Sequence, residues 1–113
     1  MSIPLTKATL IAAYELLRTT PPFLGWKLPE PDDVEFTVIR TRDLYGDCDG
    51  DKIRVSAGRH GTLNALLQTM AHEVIHLHQF RRGLNTPNTE HNADFHKRAK
   101  RVCAMNCWDL KGF

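Results

Sequence analysis

One stretch restricts the fold more than any other: "TLNALLQTMAHEVIHLHQFRRG", from Thr62 to Gly83. At about 100° per residue, Leu63, Leu66, Leu67, Met70, Val74 and Leu77 gather on one side of a helical wheel. The spacing predicts a long helix over Thr62–Arg82 whose apolar side faces the core. Thr62 suits its N-cap, and Gly83 is a fitting stop. On roughly the opposite side, His72 and His76 stand one turn apart, so both imidazoles can reach one ion. Glu73 lies between that pair and the apolar stripe. His78 sits about 200° round from His76 and cannot join them; it reads as a structural or partly exposed histidine.

The rest of the chain supplies what covers this helix. Leu10, Ala13, Tyr14 and Leu17 share a face of an amphipathic helix over Thr6–Arg18. "TTPPFLGWKLPEPDD" breaks it with prolines and glycine. "VEFTVIR" alternates, with Val34, Phe36 and Val38 on one side, and reads as a strand. "DLYGDCDGD" reads as turn chemistry, and "KIRVSA" as a second strand. A last helix is expected from His91 to Met105. The order of helix, strands, helix and helix argues an α+β fold. With 113 residues, the expectation is one domain spanning 1–113.

Composition excludes more than it assigns. Hydrophobic content of 42% and charged content of 25% suit a globular protein, not a disordered or membrane one. No apolar run approaches the roughly 18 residues of a membrane span, so no membrane partner is expected. A net charge of +2 is too weak by itself to argue for nucleic acid. "MSIPLTKATLIAAYELL" has no charged segment ahead of its apolar part and reads as a helix, not a signal peptide. Three cysteines, an odd number without a dense framework, suit a reducing cytoplasm. Cys103 and Cys107, four apart, read as free thiols.

The string "HEVIH" is the HExxH pattern. Two neutral imidazoles bind zinc from consecutive turns, and the intervening glutamate acts on the water that the metal activates. Zinc lowers that water's pKa toward ~7, and Glu73 takes its proton as it attacks a carbonyl. A catalytic zinc needs a third protein ligand and an open position. The metzincin extension HExxHxxGxxH is excluded, because Gln79 and Arg82 stand where its glycine and histidine belong. Downstream candidates are Glu90, His91, Asp94 and His96. On the last helix His91 shares a stripe with Phe95, Ala99 and Val102, so geometry favours it. His96 turns toward Lys97 and Lys100, Asp94 points away, and Glu90 is the second choice.

"HEVIH" followed by "HNADF" resembles the SprT-like metalloprotease domain, which includes the Spartan DNA-dependent proteases. That family carries HExxH, a variable loop, then a histidine usually followed by glycine, two residues and phenylalanine. His91 to Phe95 fit, with Asn92 in the usual glycine's place, 15 residues beyond His76 (91 − 76). The upstream helix, strand, glycine-bearing turn "LYGDC" and strand "KIRVS" are similar too. The resemblance implies a minimal zincin-like domain with His72, His76 and His91 as zinc ligands and Glu73 as general base or acid. It also implies a protein substrate. The zinc ribbon of many members is not among the 22 residues after His91 (113 − 91). The protease chemistry therefore carries over further than the DNA dependence.

A DNA partner has its own candidate surface. Lys97, Lys100 and Arg101, with Arg98 beside them and Arg81 and Arg82 ending the previous helix, form a possible phosphate-binding edge. Trp108 and Phe113 are candidates to stack on bases, with a lid on the core as the other reading of Trp108. A non-catalytic, zinc-stabilised module that binds DNA or protein is the alternative to the protease.

Overall fold

The computed structural model describes residues 5–58 and 61–113. The first helix, α1, runs over Lys7–Arg18. It starts where Thr6 turns its hydroxyl to accept the Thr9 amide, which satisfies one of the free donors at the helix start. Leu10, Ala13, Tyr14 and Leu17 are its buried face. The Tyr14 hydroxyl donates to the Pro29 carbonyl at 2.6 Å and so ties the proline-rich loop to the core.

Among the described residues, three strands follow where two were expected. They are β1 (Glu35–Ile39), β2 (Gly46–Asp49) and β3 (Lys52–Ser56). Their order is β1-β3-β2, with β1 parallel and β2 antiparallel to β3. The stretch read as turn chemistry therefore contains a strand and a turn. Asp49 pairs with Lys52, leaving Gly50 and Asp51 as a two-residue hairpin. Gly50 has φ 61, the positive value that a type II′ hairpin asks of its first central residue. Gly46 is glycine for a second reason: a Cβ there would lie 2.7 Å from the Arg54 carbonyl and 3.1 Å from the Thr69 methyl. The absence of a side chain lets β2 approach both β3 and the long helix.

That helix, α2, covers Leu63–Arg82, with Thr62 capping the Ala65 amide and Gly83 left-handed at φ 68. It packs against α1, β2, β3 and the final helix α3 (Ala93–Asn106). Burial consequently extends beyond the predicted apolar stripe to Ala71, Glu73, Ile75, His78 and Gln79, while Leu63 is exposed. α3 begins two residues later than expected, because Asn92 is its N-cap and accepts the Phe95 amide at 2.9 Å. Its inner face is Phe95, Ala99, Val102 and Cys103. Among the described residues, the result is an α+β fold of three α-helices and one small mixed sheet. Among the described residues, no helix is long and apolar enough to cross a membrane.

His78 is buried, its ring 4.7 Å from that of Trp26. Burial first, then Arg98 and Arg82, push its pKa down from 6.5 to about 4. Below pH 6.5 the unfolded chain takes up a proton that the folded chain refuses, so stability is lost as pH falls toward about 4. His78→Gln is expected to flatten this acid arm of the metal-free protein, by about 3 kcal/mol at its low end. Urea denaturation across that pH range is the measurement. An unchanged slope would mean that His78 stays accessible to protons in the folded state.

Candidate metal centre

Two ligand candidates come from one helix. His72 and His76, four residues apart on α2, place their ring centroids 5.1 Å apart. The third, His91, is not on α3 as expected. It immediately precedes the N-cap and is exposed, so it reaches the others from the approach to the helix. What fixes that approach is a polar knot. Buried Gln79 on α2 donates to Asn92 at 2.9 Å and to Asp94 at 2.8 Å. The Asn92 amide nitrogen in turn donates to the Leu84 carbonyl and the Thr86 hydroxyl. A residue joined covalently to Asn92 is thereby held above α2.

The three imidazoles offer nitrogen atoms that all lie within 4.8 Å of one another. His72 Nε2 and His91 Nε2 are 3.1 Å apart. Tetrahedral zinc with nitrogen ligands at 2.0–2.1 Å separates them by about 3.3 Å, so the donor types and the spacing of this pair fit that ion. His76 Nε2 adds an independent sign: it is buried without a hydrogen-bond partner. Buried polar atoms are nearly always paired, and an orphan on a ring 5.1 Å from that of His72 and 5.2 Å from that of His91 suits a cation.

The electrostatics suit ligation too, since a metal takes the neutral imidazole. Burial, and then the neighbouring His72 and His91, hold His76 down at about 4, opposed by a hydrogen bond with Gln79. Burial also lowers His72, opposed by its hydrogen bond to the Phe113 backbone carbonyl at 2.8 Å.

Glu73 is 5% exposed. Burial, followed by the negative Asp47 and Glu90, pushes its pKa up from 4.5 to about 8. It borders a cavity of about 410 Å³, lined also by Leu44, Tyr45, Gly46, His72 and Phe113. A carboxyl group that binds a proton near neutrality thus stands beside the imidazole cluster at the wall of a space able to hold a substrate.

The other sequence candidates fall outside this cluster. His96 is exposed, with its ring centroid 6.4 Å from that of His91, and Glu90 is exposed. Asp94 does not point away as expected: it accepts from Gln79 and Arg98. Lys97, Lys100 and Arg101 are exposed on α3. Arg98 is already engaged, paired with Asp94 and lying 5.1 Å over the Trp26 ring, and Arg81 pairs with Asp51. Trp108 donates to Asn64 and stacks on Phe113, so this pair is folded against α2. Cys48, Cys103 and Cys107 are free thiols.

Sequence reasoning missed Gln79, Asn92 and the Phe113 carbonyl. Asn92 alone left a trace: asparagine three residues before Phe95, at the start of a helical pattern, is an N-cap signal. A backbone carbonyl leaves none. Comparison of the chain with protein-family models, with curated proteins and with solved structures finds no match.

Proposed function

We propose that this chain is a zinc-dependent metallopeptidase of the SprT-like, zincin-like kind, with His72, His76 and His91 as ligands and Glu73 as general base. One observation carries the reading: three mutually adjacent imidazoles border a buried, proton-binding carboxyl group at the wall of an open cavity. Zinc, when bound, supplies the Lewis acidity that makes water nucleophilic near neutral pH and polarises a carbonyl. The chain supplies the rest. Glu73, in a poorly solvated position, accepts the proton of the attacking water and returns it to the departing amine.

The sheet edge supports a peptide as substrate. β2 is an outer strand, and among the described residues none pairs with its free side. The Ser56 amide donates to the Tyr45 carbonyl, which turns Tyr45 and Asp47 toward β3 and leaves the amide and carbonyl groups of Gly46 and Cys48 facing outward. An extended peptide can add there as a further strand, with Gly46 and Glu73 bordering the same cavity. DNA-associated proteins are the proposed targets, and the exposed Lys97, Lys100 and Arg101 the proposed phosphate contacts. A cytoplasmic setting goes with this reading, and three unpaired cysteines suit it.

The test is zinc-loaded protein incubated with casein and with a DNA-crosslinked protein, each with and without single-stranded DNA. Cleavage that a chelator abolishes and zinc restores is the expected result. A protein that holds zinc but cleaves neither substrate would overturn the peptidase and favour the non-catalytic binding module. For the DNA arm, changing Lys97, Lys100 and Arg101 together to glutamine is expected to flatten the dependence of log affinity on log salt. The slope should fall by about 0.7 per lost contact on single strands. An unchanged slope would reduce these residues to a solvated face.

A further inference from the structure

The segment after α3 makes contacts that the proposed chemistry has not used. We propose that residues Cys107–Phe113 form a strap that positions His72 for metal binding, with the Phe113 backbone carbonyl selecting the tautomer that frees Nε2. This rests on the metal-site reading given above.

The physical reason begins with the two imidazole nitrogens. A neutral ring carries one proton, and only the other nitrogen can bind a metal. His72 Nε2 is the atom that faces His91. It is free for a metal only if the proton sits on Nδ1. The Phe113 carbonyl lies 2.8 Å from Nδ1 and can only accept, so it places the proton there. A carbonyl behind a ligating histidine fixes both tautomer and ring direction.

The carbonyl is delivered by a defined path. Cys107 adopts the left-handed conformation at φ 58, which reverses the chain at the end of α3. The Trp108 amide then donates to the Cys103 carbonyl at 2.9 Å. The Trp108 indole donates to Asn64 Oδ1 at 2.9 Å, in the first turn of α2. Asn64 is eight residues before His72, about 12 Å along the same helix. Asp109 caps a short 3-10 turn, Leu110–Gly112, by accepting from the Lys111 amide. The Phe113 ring stacks on Trp108 at 6.1 Å and lies 5.3 Å from the His72 ring. The strap is thus pinned at one end of α2 and delivers its carbonyl two turns further along.

Trp108 and Asn64 touch neither the proposed metal nor the reacting atoms; they are positioning residues, acting through Phe113 and His72. Two variants test this, Trp108→Ala and Asn64→Leu, with Asn64→Asp as the conservative rescue because it keeps an acceptor for the indole. Zinc affinity is read by competition with a chelating dye. The His72 tautomer is read in metal-free protein by long-range nitrogen–proton NMR correlations at mildly alkaline pH. Both disrupting variants are expected to lose zinc affinity about tenfold, the low end for an outer-shell partner. They should also shift His72 from the Nδ1–H form toward the Nε2–H form, while Asn64→Asp resembles the wild type in both respects.

A tautomer unchanged in both disrupting variants overturns the strap, whatever happens to zinc; weakened zinc binding would then reflect general loosening. Wild-type protein that takes up no zinc overturns the metal reading instead. The tautomer of metal-free His72 still decides the strap in that case.

Discussion

Glu73→Gln is expected to leave the fold and zinc uptake intact while lowering peptide hydrolysis about 10²- to 10⁴-fold, the range that positioned proton transfer contributes. Glutamine keeps the side chain's shape and loses only its ability to exchange a proton. A second consequence concerns stability. Folding raises the Glu73 pKa from 4.5 to about 8. Between those values the unfolded chain releases a proton that the folded chain retains, so metal-free wild-type protein loses stability as pH rises through this window. The loss approaches about 5 kcal/mol at the top, and the glutamine variant lacks it. The variant should therefore melt above the wild type in mildly alkaline, metal-free buffer, with the gap closing as pH falls toward 4.5. Equal hydrolysis by the two proteins would remove Glu73 from the chemistry. Parallel melting curves at every pH would mean that its carboxyl is better solvated than its 5% exposure implies.

His91→Ala carries the next largest effect. The wild-type chain should hold about one zinc by elemental analysis, and the variant loses one of three protein ligands. With structural zinc sites worth about 10–16 kcal/mol, one ligand of three corresponds to about 3–5 kcal/mol, or on the order of a few hundred- to a few thousandfold in affinity. His96→Ala should leave affinity unchanged, because that exposed ring lies outside the cluster. Glu90→Gln should change it little for the same reason. If removing His96 strips the metal while removing His91 does not, the ligand set proposed for the region before α3 is wrong.

Those two sites show how far the sequence could be read. His72, Glu73 and His76 follow from helical spacing alone, because an i,i+4 pair on a long helix shares a direction whatever surrounds it. α1, β1, β3 and α2 follow from apolar periodicity, which local sequence states directly. β2 does not: Gly-Asp-Cys-Asp has poor strand propensity, and it is a strand because β3 pairs with it. Its one local sign was the Asp-Gly pair before "KIRVS", a hairpin signal as much as a turn signal. His91 was chosen for sharing a stripe with Phe95, yet it lies outside the helix. Its position depends on Gln79 reaching Asn92 and Asp94, a contact between residues 13 and 15 apart that no local pattern encodes. The width of burial around α2 was hidden likewise, since how many neighbours cover a helix is a property of the assembled fold.

The placement of His91 has a mechanical consequence. His72 and His76 belong to one rigid rod, whereas His91 belongs to the chain that follows the loop after Gly83. An ion shared between them is a removable cross-link that closes a loop of 15 residues between His76 and His91 (91 − 76). A permanent link over that span is worth about 3 kcal/mol through the freedom it denies the unfolded chain. For a domain whose total stability is about 5–15 kcal/mol, that is a substantial fraction. The ion's contribution also varies with its concentration, reaching about 2.7 kcal/mol at a hundred times the dissociation constant. On the proposed reading, scarcity of metal therefore acts on this chain twice, by silencing the site and by loosening the joint between α2 and α3.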